Sequence, residues 1–284
     1  MTPHERAVKD ALRTGDQIRV LFNRLGNRQH PRGRILSAYR QAHRALRSGT
    51  LTTPLAIVVL AELRAAIEAT ARETLGDASL IGSGLAVRNL KAYGLPDTEL
   101  AYNTLEELNA WLAVFDSQAQ AVQGIVASDG DLDLIIGDGS RVGILSPTPV
   151  TRSGARWLES AAMAAYAQTL TRGVRQDDAE PDFMRQAIAA IDERTTDCCL
   201  RVHGQTIRMN DQFVLRGTPR YADRMSRPGF HDYCRTSVAL VKVEDAEDEL
   251  TQAMTTAARN ELRAREETGQ RQGIHPADAL SGRG

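Results

Sequence analysis

Three cysteines occur in the 284 residues, Cys198, Cys199 and Cys234, and two histidines, His203 and His231, fall beside them. The stretch "DERTTDCCLRVHGQ" carries the first group, and "GFHDYCRTS" carries the second. Zinc takes thiolate and imidazole donors in a tetrahedral set. Cys198 and His203 would supply one half of such a set, and His231 and Cys234 the other. The His-x-x-Cys spacing lets both side chains meet one ion from a tight turn, and the ion would pin two loop ends together. The same residues allow a cysteine nucleophile with a histidine base, which needs a third orienting group and an oxyanion pocket. Neither is marked in the sequence. A third reading makes Cys234 a small buried hydrophobe at a strand start, with His231 and Arg235 in ordinary hydrogen bonds. Spacing leaves all three open.

Other signals are weaker. "DGDLD" places Asp129, Asp131 and Asp133 like the start of a calcium loop, but Leu134 stands where glycine is required and Ser140 where glutamate is. "IGSGLAVRN" offers Gly82 and Gly84 without a preceding strand, so it is not a dinucleotide fingerprint. His4, His30 and His43 are scattered in polar sequence and read as surface residues.

The composition fits a globular chain of one large or two modest domains. Abundant Ala, Leu, Arg and Glu with only 5% aromatics favour helices. The longest apolar run, "PLAIVVLAEL", stops at Glu62, short of the ~18 residues of a membrane span. No secretory signal is expected at the N-terminus. Three cysteines do not make a disulfide framework, so a reducing compartment is expected. The net charge of −1 hides an asymmetry. Residues 1–50 hold 11 Lys and Arg against 3 Asp and Glu, and residues 51–150 hold 5 against 13. A basic arm of this kind docks on nucleic acid or an acidic protein surface, or is simply a solvated arginine face.

Apolar periodicity predicts helices over 3–25, 34–49, 52–76, 84–96 and 97–124, the last capped by Asp97. A β-hairpin is expected near 125–145 with its turn at Gly137–Ser140. A helix over 153–172 follows a joint at "SPTPVTRSG", and "PDFMRQAIAAIDERTTD" reads as another helix. From Cys198 to Val243 short strands and loops are expected, with strands near Ile207 and over Val238–Val243. A charged helix and a frayed tail end the chain. The expected fold class is α+β, mostly α. It has a helical N-terminal half (1–150), a small C-terminal α+β module (151–243), and a terminal helix and tail (244–284); the piece from about Ser153 to Gly269 is expected to fold separably from the first half.

"AIAAIDERTTDCCLRVHGQTI" leading to "FHDYCRTSVALV" resembles the C-terminal signature of the Mu F-like phage head morphogenesis proteins, the minor head or minor capsid proteins. The matching positions are Asp192, Glu193, Arg194, Thr195, Cys198, Gly204, Pro228, His231, Cys234 and Arg235. Thr236 stands where the family pattern has a further cysteine, so a four-donor metal site would need Cys199 or His203 in its place. The resemblance implies a non-enzymatic, low-copy component of a tailed-phage head, acting in capsid assembly or DNA packaging and delivery. It would reside in the virion head interior, and in the host bacterial cytoplasm during assembly. Its implied partners are the portal and the major capsid protein, with no membrane. Packaged DNA would be a further partner of the basic arm, through residues such as Arg28, Arg32 and Arg34. Zinc is the cofactor the cluster would take. The alternative is a metal- or cysteine-dependent phage-borne enzyme, a hydrolase or toxin.

If the arm meets DNA, it meets phosphates. Replacing Arg28, Arg32 and Arg34 by Gln should then weaken binding without sequence preference and flatten its salt dependence in a filter-binding titration. Salt-independent binding, or none at low salt, removes DNA as the arm's partner.

Overall fold

The structure is a computed structural model that describes residues 1–23, 30–48, 50–96, 102–128, 130–138, 140–176, 182–231 and 234–269. Arg28, the expected cap Asp97, the acidic residue Asp129 and the tail from Gln270 lie outside the described residues. The fold is mostly α with a C-terminal α+β region. Its helices are α1 (Pro3–Asn23), α2 (Pro31–Ser48), α3 (Thr53–Ala92), α4 (Leu105–Ala127), α5 (Leu132–Ile136), α6 (Pro147–Gln176), α7 (Asp197–Val202) and α8 (Glu249–Thr268). Its strands are β1 (Phe183–Ile188), β2 (Thr206–Arg208), β3 (Phe213–Val214), β4 (Arg224–Met225) and β5 (Ser237–Lys242). No described helix is long and apolar enough to cross a membrane.

Packing divides the chain into two units. One joins Met1–Arg19, Ser79–Tyr102 and Glu159–Gly284; the other joins Val20–Ala78 and Asn103–Leu158. The second unit is helical. Tyr39 of α2 donates to Gln118 of α4 at 2.6 Å, and Gln118 donates to the Ser146 carbonyl at 2.8 Å. The Trp111 indole donates to the Val150 carbonyl at 2.8 Å, so this fully buried ring keeps its polar edge satisfied. Arg34 pairs with Glu73 at 2.6 Å, so the expected basic arm is in part a packed helix.

The first unit holds the sheet, ordered β2-β1-β5 and antiparallel throughout. β1 is central, with Arg185 facing Ile207 on one side and Leu240 on the other. Its polar residues are buried and bonded. Arg185 donates to the carbonyls of Ser226 and Asp211, each at 2.7 Å, and its guanidinium lies over the Phe213 ring. The Gln186 amide donates to Thr251 at 2.8 Å and accepts from His4 at 2.8 Å. α1 lays Ala7, Val8 and Ala11 against Ile188, Ala239 and Met254. Asn89 of α3 accepts from the Leu240 amide at 2.9 Å.

Several expectations are corrected. "FMRQAI" is the central strand and not a helix, because Arg185 and Gln186 serve the interior instead of a solvated face. The hairpin near 125–145 is replaced by α5, which Asp131 caps by accepting from the Asp133 amide at 3.0 Å; among the described residues a single bridge, Gly137 to Val142, remains. The stretch read as a joint at Pro147–Gly154 opens α6, with Pro147 in its first turn, where a missing N–H costs nothing. Cys198 and Cys199 sit on α7 and not on a loop. Helices read separately over 52–76 and 84–96 are the single helix α3. Gly82 is required there because a Cβ would sit 1.8 Å from the Ala162 carbonyl oxygen of α6. His4, read as a surface residue, is buried between Gln186 and Asp248, and His43 contacts the Leu145 carbonyl at 2.7 Å.

The sheet shares its core with residues 1–19 and 79–102. A piece from Ser153 to Gly269 lacks Ala7, Val8, Ala11 and Asn89, and so is expected to lose the cooperative thermal transition of the full chain. A sharp transition in the isolated piece would show that α1 and α3 are dispensable. In the full chain, His4→Ala should cost about 1–3 kcal/mol in chemical denaturation, since it strands a buried amide oxygen.

Candidate metal centre

The loop between β1 and α7 fixes the site. Arg235, just before β5, grips Asp192 with both guanidinium nitrogens, one of them at 2.8 Å, and also donates to Thr195 at 3.0 Å. From the other side the buried Arg265 of α8 donates to the carbonyls of Thr195 at 2.6 Å and Asp192 at 2.8 Å. Thr195 donates to the Ala190 carbonyl. The loop is thereby pinned to both the strand and the terminal helix, and α7 starts in a set position behind it.

That position brings the sulfurs to the histidine. The ligand atoms of Cys198, Cys199 and His231 lie within 4.8 Å of one another, and all three residues are buried. The two sulfurs of the Cys-Cys pair are 4.0 Å apart. Cys234 Sγ is 3.6 Å from Cys199 Sγ. Around a zinc ion, thiolates at about 2.3 Å in a tetrahedron are separated by roughly 3.8 Å, so the Cys198–Cys199 spacing suits shared ligation. His231 Nε2 stands 3.0 Å from Cys199 Sγ and 2.8 Å from Thr196 Oγ1. These three residues could hold a metal ion; Cys234, near Cys199 alone, stands outside their group.

The loop carrying His231 is built by aromatic packing. Phe230 is fully buried and meets Phe213 edge-on at 5.9 Å, and the Tyr221 amide donates to the Phe230 carbonyl at 2.8 Å. Arg185 holds the same loops through Ser226 and Asp211. The Cys234 amide donates to the His231 carbonyl at 3.3 Å.

Electrostatics differ among the sulfurs. The hydrogen bond with Cys199 lowers the Cys198 thiol to about 6, against burial and with help from His231. The Pro219 carbonyl, 2.8 Å from Cys198 Sγ, favours the protonated thiol and opposes that shift. Burial pushes Cys234 up to about 11. Burial also works to lower His231, but the sulfurs of Cys234 and Cys199 raise it overall.

The remaining signature residues have other work. His203 does not join the group of three. Its Nδ1 accepts from the Ala189 amide at 2.8 Å, and burial lowers it to about 4. Gly204 turns with φ +79°, and its amide donates to the Ala187 carbonyl at 2.8 Å. Glu193 and Arg194 are exposed, and Arg194 lines a small cleft together with Cys199, His231, Arg235 and Thr236. Sequence reasoning missed Arg265 and Thr196. Arg265 was hidden in a charged helix.

No protein family, no curated protein and no solved structure matches the chain.

The Asp192–Arg235 pair makes a pH prediction. The hydrogen bond from Arg235 holds the Asp192 carboxyl down at about 2. A depressed carboxylate contributes stability that is complete above its unfolded value of about 3.9 and is lost as pH falls through the folded value. Wild type should therefore lose stability from about pH 4 down to about pH 2, and Asp192→Asn should lose less over that window in acid denaturation. Arg235→Lys, which cannot grip both oxygens, should cost about 1–3 kcal/mol at neutral pH.

Proposed function

We propose that the chain is a minor head protein of a tailed phage or prophage, and that its cysteine–histidine cluster is a structural zinc clasp. The observation that supports this best is the meeting of the two halves of the signature. Asp192 and Thr195 from the first half are held by Arg235 from the second, and Cys198 and Cys199 face His231. A motif whose distant parts lock one fold suits an assembly component. Structural zinc sites are closed, and catalytic ones keep an open position. Cys199 is 2% exposed and His231 4%, so the donors are enclosed. Zinc would be held by Cys198, Cys199 and His231, with Cys199 in place of the family cysteine that Thr236 replaces. On this reading the protein works beside the portal and major capsid protein, in the head interior and, during assembly, in the host cytoplasm. The arginine-rich α1–α2 region meets DNA or an acidic portal surface.

A second reading is a cysteine-dependent enzyme. It is favoured by the 3.0 Å contact between Cys199 Sγ and His231 Nε2 at the edge of the cleft. The two separate on one set of variants. An assembly protein should co-sediment with portal-containing procapsids and carry about one zinc per chain by elemental analysis. Cys198→Ser with Cys199→Ser should abolish the zinc and lower thermal stability. An enzyme would instead keep its fold in Cys199→Ala and lose turnover. Failure to co-sediment with procapsids under any assembly condition contradicts the head-protein reading.

A further inference from the structure

Cys234 stands outside the group that could share an ion, yet it is not an isolated thiol. Its Sγ lies 3.6 Å from Cys199 Sγ, although the two residues are 35 apart in the chain. One comes from α7 and the other from the segment just before β5, and both are buried. Closing that gap to the ~2 Å of a disulfide takes a small side-chain movement and no exchange of elements. Cys198 is the poorer partner for Cys199. Its Sγ is 4.0 Å away and donates to the Pro219 carbonyl at 2.8 Å. Adjacent Cα atoms across a trans peptide also stand about 3.8 Å apart, short of the ~4.4 Å at which disulfides begin. Access singles out Cys199. Of the three cysteines, it is the one that lines the small cleft, together with Thr196, His231 and Thr236. Thr236 Oγ1 is buried there without a hydrogen-bond partner, a polar contact left for a small molecule that enters.

We propose that Cys199 and Cys234 are a reversible redox pair, oxidised to a disulfide by hydrogen peroxide that enters the cleft. The Cys199 sulfur attacks one peroxide oxygen and the O–O bond breaks. The other oxygen leaves with the thiol proton as water, and Cys199 becomes a sulfenic acid. The Cys234 sulfur then attacks the Cys199 sulfur and the S–O bond breaks. Hydroxide leaves with the Cys234 proton as a second water, and the S–S bond is formed. Two thiols give up two electrons and two protons, and one peroxide becomes two waters. The disulfide stands on the placement of the two sulfurs and the cleft. Its consequence for the ion rests on the metal reading above. Once in the disulfide, Cys199 is no longer a thiolate donor, and Cys198 and His231 are too few to hold a structural zinc. The connection between α7 and the start of β5 thus passes from a metal to a covalent bond in oxidising surroundings.

Peptide mass spectrometry of the full chain after equimolar hydrogen peroxide tests this, on protein stripped of metal by a chelator and on protein loaded with zinc. Metal-free wild type should yield two peptides joined through Cys199 and Cys234, separable by dithiothreitol, with Cys198 recovered as an alkylated thiol. Cys234→Ser should stop at a sulfenic acid on Cys199 that dimedone traps, and Cys198→Ser should still form the link. The zinc-loaded chain should release its ion in step with the link, followed with a zinc-responsive dye. Cys234 left fully alkylatable in wild type, or a link through Cys198, overturns the redox pair and leaves the metal reading standing. A Cys199–Cys234 link in a chain that takes up no zinc overturns the metal reading and supports the redox pair. Zinc retained by a chain that carries the link overturns the release of the ion.

Discussion

The double grip on the loop from Ala189 to Thr196 is the constraint on which the C-terminal fold depends. Arg235 holds its side chains and Arg265 holds its carbonyls, so the same short loop is fixed to β5 and to α8. Neither arginine is replaceable by lysine without losing a geometry, because each uses a planar fork to reach two acceptors. With the loop fixed, α7 has one place to begin, and Cys198 and Cys199 are carried to His231. An opposed pair of this kind contributes specificity more surely than net stability, since burying charge offsets much of the attraction.

Around the cluster, buried apolar side chains such as Leu200, Val202, Leu215 and Phe230 are joined by polar contacts that hold the loops. Arg185 reaches two loop carbonyls from the centre of the sheet, and Phe213 and Phe230 supply an aromatic pair next to His231. Small elements such as β3 and β4, two residues each, gain little from burial by themselves. A metal joining α7 to the His231 loop would close the long excursion between them, which is where cross-links constrain the unfolded chain most. His203, beside the cluster in sequence, contributes differently, by accepting an amide that the end of β1 leaves unpaired.

Much of the helical architecture was legible in the sequence, because α2, α4 and α8 have polar faces that separate cleanly from buried ones. β1 was not. A central strand is buried on both faces, and here two of its six positions are Arg185 and Gln186, which mimic the polar face of a helix. α5 was misread for a related reason: "DLDLII" alternates like a strand, but Asp131 caps it as a helical turn. At the site, residue types and spacing pointed to Cys198 and His231, which the fold brings together, and to Cys234, which stands outside their group. Choosing Cys199 over His203 required the register of α7, and finding Arg265 required the tertiary packing of α8. Periodicity carries no record of which distant helix supplies a buried charge.

The central claim is that the cysteines and histidine form a metal clasp. X-ray absorption at the zinc edge of the purified full-length chain tests it most directly. The account predicts two sulfur scatterers at about 2.3 Å with one or two nitrogen or oxygen scatterers at about 2.0–2.1 Å. A shell of light atoms without sulfur, or a protein that retains no zinc, would contradict it.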